Sequence, residues 1–396
     1  MKRIAFIEEA FMGSTLPLAK QFCKSGYNVD IYYIKSEINN PEGADCCFQA
    51  SKYGITQVPN SALKQIRKYM ESDRLNIFLV NLTRPYERIP LLCIIKKCIL
   101  RWQIHKVVNI IDKHNYEIVN VIANYNMNRL AYFVRYINKR LILSLHEVCN
   151  HSLPSNNISF LLKETKKKNI DIIVFSHNNY RRLLQMNLFP SHLVHQIPFG
   201  LFESYAYLEP KAPIEPIPKK YILFYGHILP YKGLDLLKKA VDALGKQLGE
   251  FKIVIAGDGN DPTLKEIKQD DRFIVIQRYL SNKELVHLLK GTYVVVCPYK
   301  SMSQSGIPQT AFVFNIPIIA SNLDGFREII NENNGMLFIQ NDAISLKDAL
   351  LCIIERPQLR ELLSNNISNL NIFNPSFDWQ NIKQTYEKLF LNLNVK

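Results

Sequence analysis

Three segments in the second half of the chain combine glycines, a cation and small polar side chains in patterns that suit an anionic ligand. GHILPYKG at 226 to 233 ends an apolar run with Gly226 and opens a helical pattern after Lys232 and Gly233. A strand end, a cation and a helix start place backbone N–H groups, the helix dipole and a positive charge together, an arrangement that favours phosphate. IAGDGN at 255 to 260 follows another apolar run, and its Gly257 and Gly259 permit either a sharp turn or close approach of a ligand to backbone. Within CPYKSMSQSGIPQTAFVFNIPIIASNLDG at 297 to 325, a polar loop with Gln304, Ser305 and Gly306 precedes Pro308, whose favoured place is the first turn of a helix. Hydroxyl, amide and N–H donors converging there match the oxygens of a diphosphate. In the first half, His146 and Glu147 close the run LILSLHE, at the kind of strand end where open parallel sheets bind ligands. A histidine there serves structure as readily as chemistry.

These loops need strands and helices to hold them. Apolar runs at 4 to 7, 29 to 34, 76 to 80, 118 to 124, 141 to 147 and 170 to 176 alternate with helical stretches, including a basic amphipathic one at 90 to 113. Such runs, rich in Val, Ile and Leu, indicate a parallel sheet covered on both faces. From 206 to 220 four prolines within nine residues forbid a helix and predict an extended connector. The alternation then resumes at 221 to 226, 251 to 257, 273 to 277, 292 to 299 and 316 to 320. The fold class expected is α/β, with two Rossmann-like doubly wound domains at 1 to 205 and 221 to 375. A last amphipathic helix at 376 to 396 carries Trp379, Ile382, Tyr386, Leu389 and Phe390 on one side and needs an apolar surface to pack on.

At 396 residues the chain has room for two cores, and its 47% hydrophobic and 21% charged residues are a globular composition. No apolar run reaches the eighteen residues or so of a membrane span, and the start shows no signal-peptide pattern, so a cytoplasmic location is expected. The eight cysteines form no C-x-x-C pair and show no metal-ligand spacing with histidine, which supports neither a disulfide framework nor a zinc site. The net charge of +14 is lopsided: Lys and Arg outnumber Asp and Glu by 13 in residues 1 to 200 and by one in the remainder. Charge confined to one half suggests that this half meets an anionic surface or acceptor. It lacks the aromatic-basic interleaving of a nucleic-acid binder, and none is expected as a partner. Lys96, Lys97, Arg101, Lys106 and Lys163 to Lys168 supply the charge, with Trp102 as an interfacial anchor.

Taken in order, these segments resemble glycosyltransferase family 4, retaining enzymes of the GT-B fold. IPFGLF at 197 to 202 is similar to the family's I-P-N-G-V-D, GHILPYKG to its G-R-L-x-x-x-K-G, IAGDG to its strand-Gly-x-Gly, and the segment from 316 to its P-V-I-A-S-x-x-G-G turn. FDWQNIKQTYEKLF resembles the terminal aromatic helix that returns to the first domain. The resemblance implies that Lys232 binds the donor diphosphate, that Gly226 admits it closely, and that His146 lies near the donor sugar. His227 stands where the family has a phosphate arginine, and Met302 and Thr310 stand where it has two glutamates. Gln304, Ser305, Gly306 and Arg278 match a branch found in cell-surface polysaccharide synthesis, in which Arg278 would supply the missing cation. The donor set expected on this basis is Gly226, His227, Lys232, Gly257, Arg278, Gln304, Ser305, Gly306 and Thr310, with His146, Lys232 and Arg278 acting in catalysis.

The reaction so implied moves a hexosyl group, with retention, from a nucleotide-diphosphate sugar to a lipid-linked or oligosaccharide acceptor in O-antigen or capsule-type synthesis. It would run without a metal or other cofactor, on the inner face of the plasma membrane. Three other readings stay open: a catalytically inert GT-B relative serving as a nucleotide-sugar-binding subunit, a phosphorolytic enzyme, and a nucleic-acid binder.

Overall fold

The apolar runs form the strands of two sheets, and the amphipathic stretches between them form the helices that bury those sheets. The computed structural model describes residues 2–34, 54–83, 90–124, 126–148, 158–302, 304–369 and 377–392. They fall into two compact units, Met1–Gly200 with Asp378–Lys396, and Leu201–Phe377.

The first unit runs β1 (Arg3–Glu8), α1 (Met12–Lys24), β2 (Asn28–Ile34), β3 (Gly54–Gln57), α2 (Lys64–Met70), β4 (Leu75–Asn81), α3 (Pro90–Lys113), β5 (Ile118–Ala123), α4 (Asn128–Tyr136), β6 (Leu141–Leu145), α5 (Phe160–Lys168), β7 (Asp171–Val174), α6 (His177–Gln185) and β8 (Val194–Gln196). Its strand order is β3-β4-β2-β1-β5-β6-β7-β8. Every pairing is parallel except that of β3 with β4, an antiparallel edge that the sequence pattern did not suggest. One continuous core joins the sheet to α3, α4, α5 and α6, built on Leu100, Ile104, Phe133, Leu161 and Leu183.

The second unit runs β9 (Tyr221–Tyr225), α7 (Leu234–Leu244), β10 (Lys252–Gly257), α8 (Leu264–Ile267), β11 (Phe273–Gln277), α9 (Asn282–Gly291), β12 (Val294–Cys297), α10 (Ile307–Ala311), β13 (Ile318–Ser321), α11 (Asp324–Arg327), β14 (Gly335–Phe338), α12 (Ala343–Glu355) and α13 (Pro357–Ser368). Its sheet is wholly parallel, ordered β11-β10-β9-β12-β13-β14, with a separate apolar core on each face. The order reverses between β9 and β12, so the loops after those two strands open a crevice of the kind that holds ligands in such sheets.

The boundary between the units differs from the expectation. The proline-rich segment is not a free connector: Tyr205 and Leu208 are buried against Val286, the Lys211 N–H donates to the Lys283 carbonyl, and Glu215 pairs with Arg278. Prolines deny the segment a helix but leave its side chains free to pack, and it is part of the second unit. The last helix, α14 (Trp379–Asn392), packs on α1 of the first unit. There Phe390 stacks on Phe22 at 5.7 Å, and the buried Tyr386 hydroxyl meets Ser144 and Asn120. Of the stretch expected to form this helix, residues 376 and 393 to 396 lie outside the described residues, as does the boundary at 375.

Beyond the strands, the β9 and β10 loops stay zipped together. The Gly226 N–H donates to Ala256 at 3.0 Å, and Ile228 bridges to Gly259. A Cβ on Gly257 would lie 1.9 Å from the Gly226 carbonyl oxygen. This glycine is therefore required by backbone meeting backbone, and no ligand contact need be invoked for it. Gly257→Ala is expected to lower stability by at least about 2 kcal/mol, read as a fall in the urea midpoint with an unchanged slope.

Candidate functional site

In the second unit the site is built around one lysine. β9 ends at Tyr225, a short turn carries the chain outward, and Lys232 folds back so that its ammonium lies beside Gly226. A Cβ at position 226 would stand 3.2 Å from Lys232 Nζ, so glycine there leaves room for the cation. Lys232 is buried, and its Nζ donates to the Tyr299 hydroxyl at 3.1 Å. Among the described residues no carboxylate pairs with it. Burial pushes the lysine down to about 8, and burial pushes the neighbouring Cys297 thiol up to about 12, so the thiol provides no counter-ion. The Tyr299 phenol is likewise held well above its ordinary range by burial.

The loop after β12 supplies the other wall. Tyr299 is linked to Ser305, whose Oγ accepts from the Ile307 N–H at 3.3 Å. Thr310 donates to the Gly306 carbonyl at 3.0 Å, and the Tyr225 hydroxyl donates to the Ile307 carbonyl at 3.2 Å. The structure thus gathers Gly226, Lys232, Ser305, Gly306 and Thr310 around β9 and β12. Gln304 and Gln309 each leave a buried Oε1 without a partner among the described residues. An unsatisfied buried polar atom costs roughly 1 to 3 kcal/mol, which a ligand with matching donors would recover.

Several expectations are corrected. Lys232, expected to meet the diphosphate as an ordinary cation, is buried, and burial lowers its basicity. Arg278 does not stand ready for phosphate: its Nε and Nη2 donate to Glu215 at 2.9 and 2.7 Å, and Nη2 also donates to Glu284 at 2.7 Å. The Ser281–Glu284 capping box turns Glu284 toward it, and two carboxylates cancel its charge. Arg278 instead clamps the proline-rich segment onto the start of α9. His227 is exposed beside the turn, and Gly257 packs against Gly226. Tyr299 and Tyr225 were not singled out from sequence, although the C-P-Y after a buried strand marks the first of them.

In the first unit His146 follows β6 and is enclosed by aromatic rings: Phe11 stacks on it at 3.6 Å, with Phe175 at 4.9 Å and Phe199 at 4.8 Å. Desolvation pushes the imidazole down to about 3, so it stays neutral at physiological pH. Its backbone is fixed by Ala123 and by Asn179 Nδ2, while its Nε2 is buried with no partner among the described residues. Asn124 Oδ1 and Asn179 Oδ1 likewise have no partner among the described residues. These residues follow β5, β6 and β7, three adjacent strands, and present polar atoms suited to hydroxyl groups. Glu147 also follows β6 and is half-buried. Among the described residues no group of three His, Cys, Asp or Glu side chains is placed to hold a metal ion.

Two sheets of this topology define the fold class, that of the GT-B glycosyltransferases. The Anabaena protein HepE, solved in complex with UDP-glucose, superposes with a TM-score of 0.65 at 14% identity, covering 99% of this chain and 100% of that one. Within the second unit, residues 209–369 match the family model described as glycosyl transferases group 1. An uncharacterized glycosyltransferase of Methanocaldococcus jannaschii is 28% identical over 182 residues, which are 42% of this chain and 48% of the relative. A phosphatidyl-myo-inositol mannosyltransferase of Mycobacterium leprae is 25% identical over 227 residues, 56% of this chain and 59% of the relative. The chain thus spans about half the length of the curated relatives it matches.

The lysine carries a stability signature. Its folded value of about 8 lies below the ordinary 10.5, so between those values the unfolded chain binds more protons and stability rises with pH. Below pH 8 the ligand-free protein bears the full cost of the buried charge, on the order of 3 kcal/mol. Lys232→Met is therefore expected to raise the melting temperature at pH 7, the gain shrinking as pH climbs from 8 to 10.5. A lower melting temperature at pH 7 would show the cation to be paired.

Proposed function

We propose that the protein is a glycosyltransferase that takes a hexosyl group from a nucleotide-diphosphate sugar and places it on a saccharide acceptor carried by a lipid. The observation that carries this reading is the buried Lys232 ammonium, hydrogen-bonded to Tyr299 and matched by no carboxylate among the described residues. A desolvated cation at a sheet's switch point is stabilised by a diphosphate more than by water. The UDP-glucose complex of HepE supports the donor class, and the mannosyltransferase among the relatives supports a hexose and a lipid-borne acceptor.

In the reaction the bond from the anomeric carbon to the diphosphate oxygen breaks as the acceptor oxygen bonds the same carbon, and the acceptor's proton leaves with the departing diphosphate. Negative charge grows on the leaving oxygens. Lys232 and the hydroxyl of Ser305 stabilise it more in the transition state than in the ground state, because the site is already organised. His146, kept neutral by its aromatic surroundings, offers Nε2 to a sugar hydroxyl, and the unsatisfied Asn124 and Asn179 oxygens do likewise. Retention at the anomeric carbon, a place in cell-surface polysaccharide synthesis and independence of metal belong to the same reading. Side chains and backbone donors take the part that a divalent ion plays elsewhere.

One observation favours a second reading. At the two positions where the resemblance implies glutamates, Met302 is buried and apolar and Thr310 has only a hydroxyl, which donates to Gly306, so no carboxylate there meets the ribose, as would suit a nucleotide-sugar-binding subunit without activity. Turnover decides between them. With a panel of nucleotide sugars and a lipid-linked acceptor, Lys232→Ala is expected to lower kcat/KM by about 30- to 1,000-fold, the loss of one charge-assisted contact. A fall of less than about threefold would remove Lys232 from the reaction, and no turnover with any donor would favour the subunit.

Two further outcomes are expected. Affinity for UDP should weaken as pH rises through about 8, because the uncharged lysine no longer meets the diphosphate. EDTA should leave the rate unchanged, and loss of activity restored by manganese or magnesium would contradict the metal-free reading.

A further inference from the structure

Among its described residues, the first unit carries an apolar surface that its own core leaves uncovered. Half of the large hydrophobic side chains exposed among the described residues sit on α3. Its C-terminal half is an ordinary core helix, with Leu100, Ile104, Val107, Val108 and Ile111 buried against the sheet and its neighbours. Its N-terminal half is different. Leu91 is 66% exposed, Ile94 and Trp102 are each 58%, and Leu92, Ile95 and Ile99 are exposed as well. At 3.6 residues per turn, residues 91, 95, 99 and 102 share a stripe opposite the buried face, and 92 and 94 widen it.

The charges on this helix have one sign. Between Pro90 and Ile111 it carries Lys96, Lys97, Arg101 and Lys106 and no aspartate or glutamate; Asp112 is its first acid. The Lys106 ammonium lies over the Trp102 ring at 3.6 Å, joining an apolar face to a cation. A soluble partner helix would present acids to such cations in particular places. A bilayer with anionic headgroups answers both features at once, taking the apolar side chains below the headgroups and meeting the cations among them. The helix is not long and apolar enough to cross a membrane.

We infer that α3 lies in the plane of an anionic membrane surface with Leu91, Leu92, Ile94, Ile95, Ile99 and Trp102 in the headgroup and acyl boundary, holding the first unit there. This deepens the reading of a lipid-borne acceptor, and it adds insertion of a whole apolar face to the attachment that the charge distribution and Trp102 suggested. The lysines of α5 contribute less than their number suggests, since Lys167 pairs with Glu164 and Lys168 Nζ donates to the Ile137 carbonyl. Apolar insertion and surface charge separate by salt, because screening weakens only the second.

The test uses the full chain and vesicles of neutral or phosphatidylserine-containing lipid, in low and high salt. Binding is expected on anionic vesicles and should persist in part at high salt. The triple variant Leu91→Ser, Ile94→Ser, Ile95→Ser should bind at least about tenfold more weakly. Trp102 gives an independent signal, since the other tryptophan, Trp379, is buried: emission should shift to the blue on vesicles and should not shift in Trp102→Phe. Absence of vesicle binding, equal binding by the triple variant, or complete release by salt would each overturn the inference. So would a dimer of the intact chain that the triple variant converts to monomer, which would make a second copy the occupant. The thermal shift given by UDP, measured on the same proteins, keeps the two readings apart: its absence rejects the donor site while vesicle binding still judges α3.

Discussion

An ammonium held away from water, with no counter-ion among the described residues, is the constraint on which the second unit's site depends. Lys232 sits where a cation is costly, next to a phenol and a thiol that burial keeps protonated. The fold maintains this by local means. β9 and β12 flank the point where strand order reverses, Gly226 leaves room for the ammonium, and Gly257 lets the β10 loop close against it. The turn after β9 is thereby fixed in place before any ligand arrives. A site prepared in this way stores unfavourable charge in the free protein and releases it when an anion binds, so the cost in stability and the gain in binding have one origin.

The first unit handles polarity in the opposite way. His146 is held among phenylalanine rings that keep it uncharged, and the unsatisfied atoms at the ends of β5, β6 and β7 are neutral hydrogen-bonding groups. Such atoms suit hydroxyl-rich ligands, as Lys232 suits an anion. The net charge of this half lies largely on surface helices, where α3 combines it with an apolar face.

Much of this was legible in the sequence because it rests on short-range rules. Near-continuous Val, Ile and Leu runs fixed the strands, and G-x-x-x-x-x-K-G after one of them located the lysine. What was not legible depends on long-range pairing. The exposure of Lys232 could not be read without knowing that Tyr299, 67 residues on, would cover it. Arg278 looked like a free cation because Glu215, 63 residues before it, lies in a segment whose prolines suggested only a connector. The edge strand β3 is four residues long and antiparallel, too short for a period to show. The α3 surface was visible as basic and amphipathic, but which of its apolar residues the core would leave uncovered required the packing of α3 on its neighbours.

The central claim, that a buried lysine of depressed basicity awaits a diphosphate, is tested most directly by NMR titration of lysine Cε and Nζ signals. Lys232 would be assigned by comparison with Lys232→Arg, and the protein followed free and with UDP. The account predicts a free-state midpoint about two units below that of the surface lysines and an upward shift on binding. A free-state midpoint near 10.5, or a midpoint that UDP leaves unmoved, would contradict it.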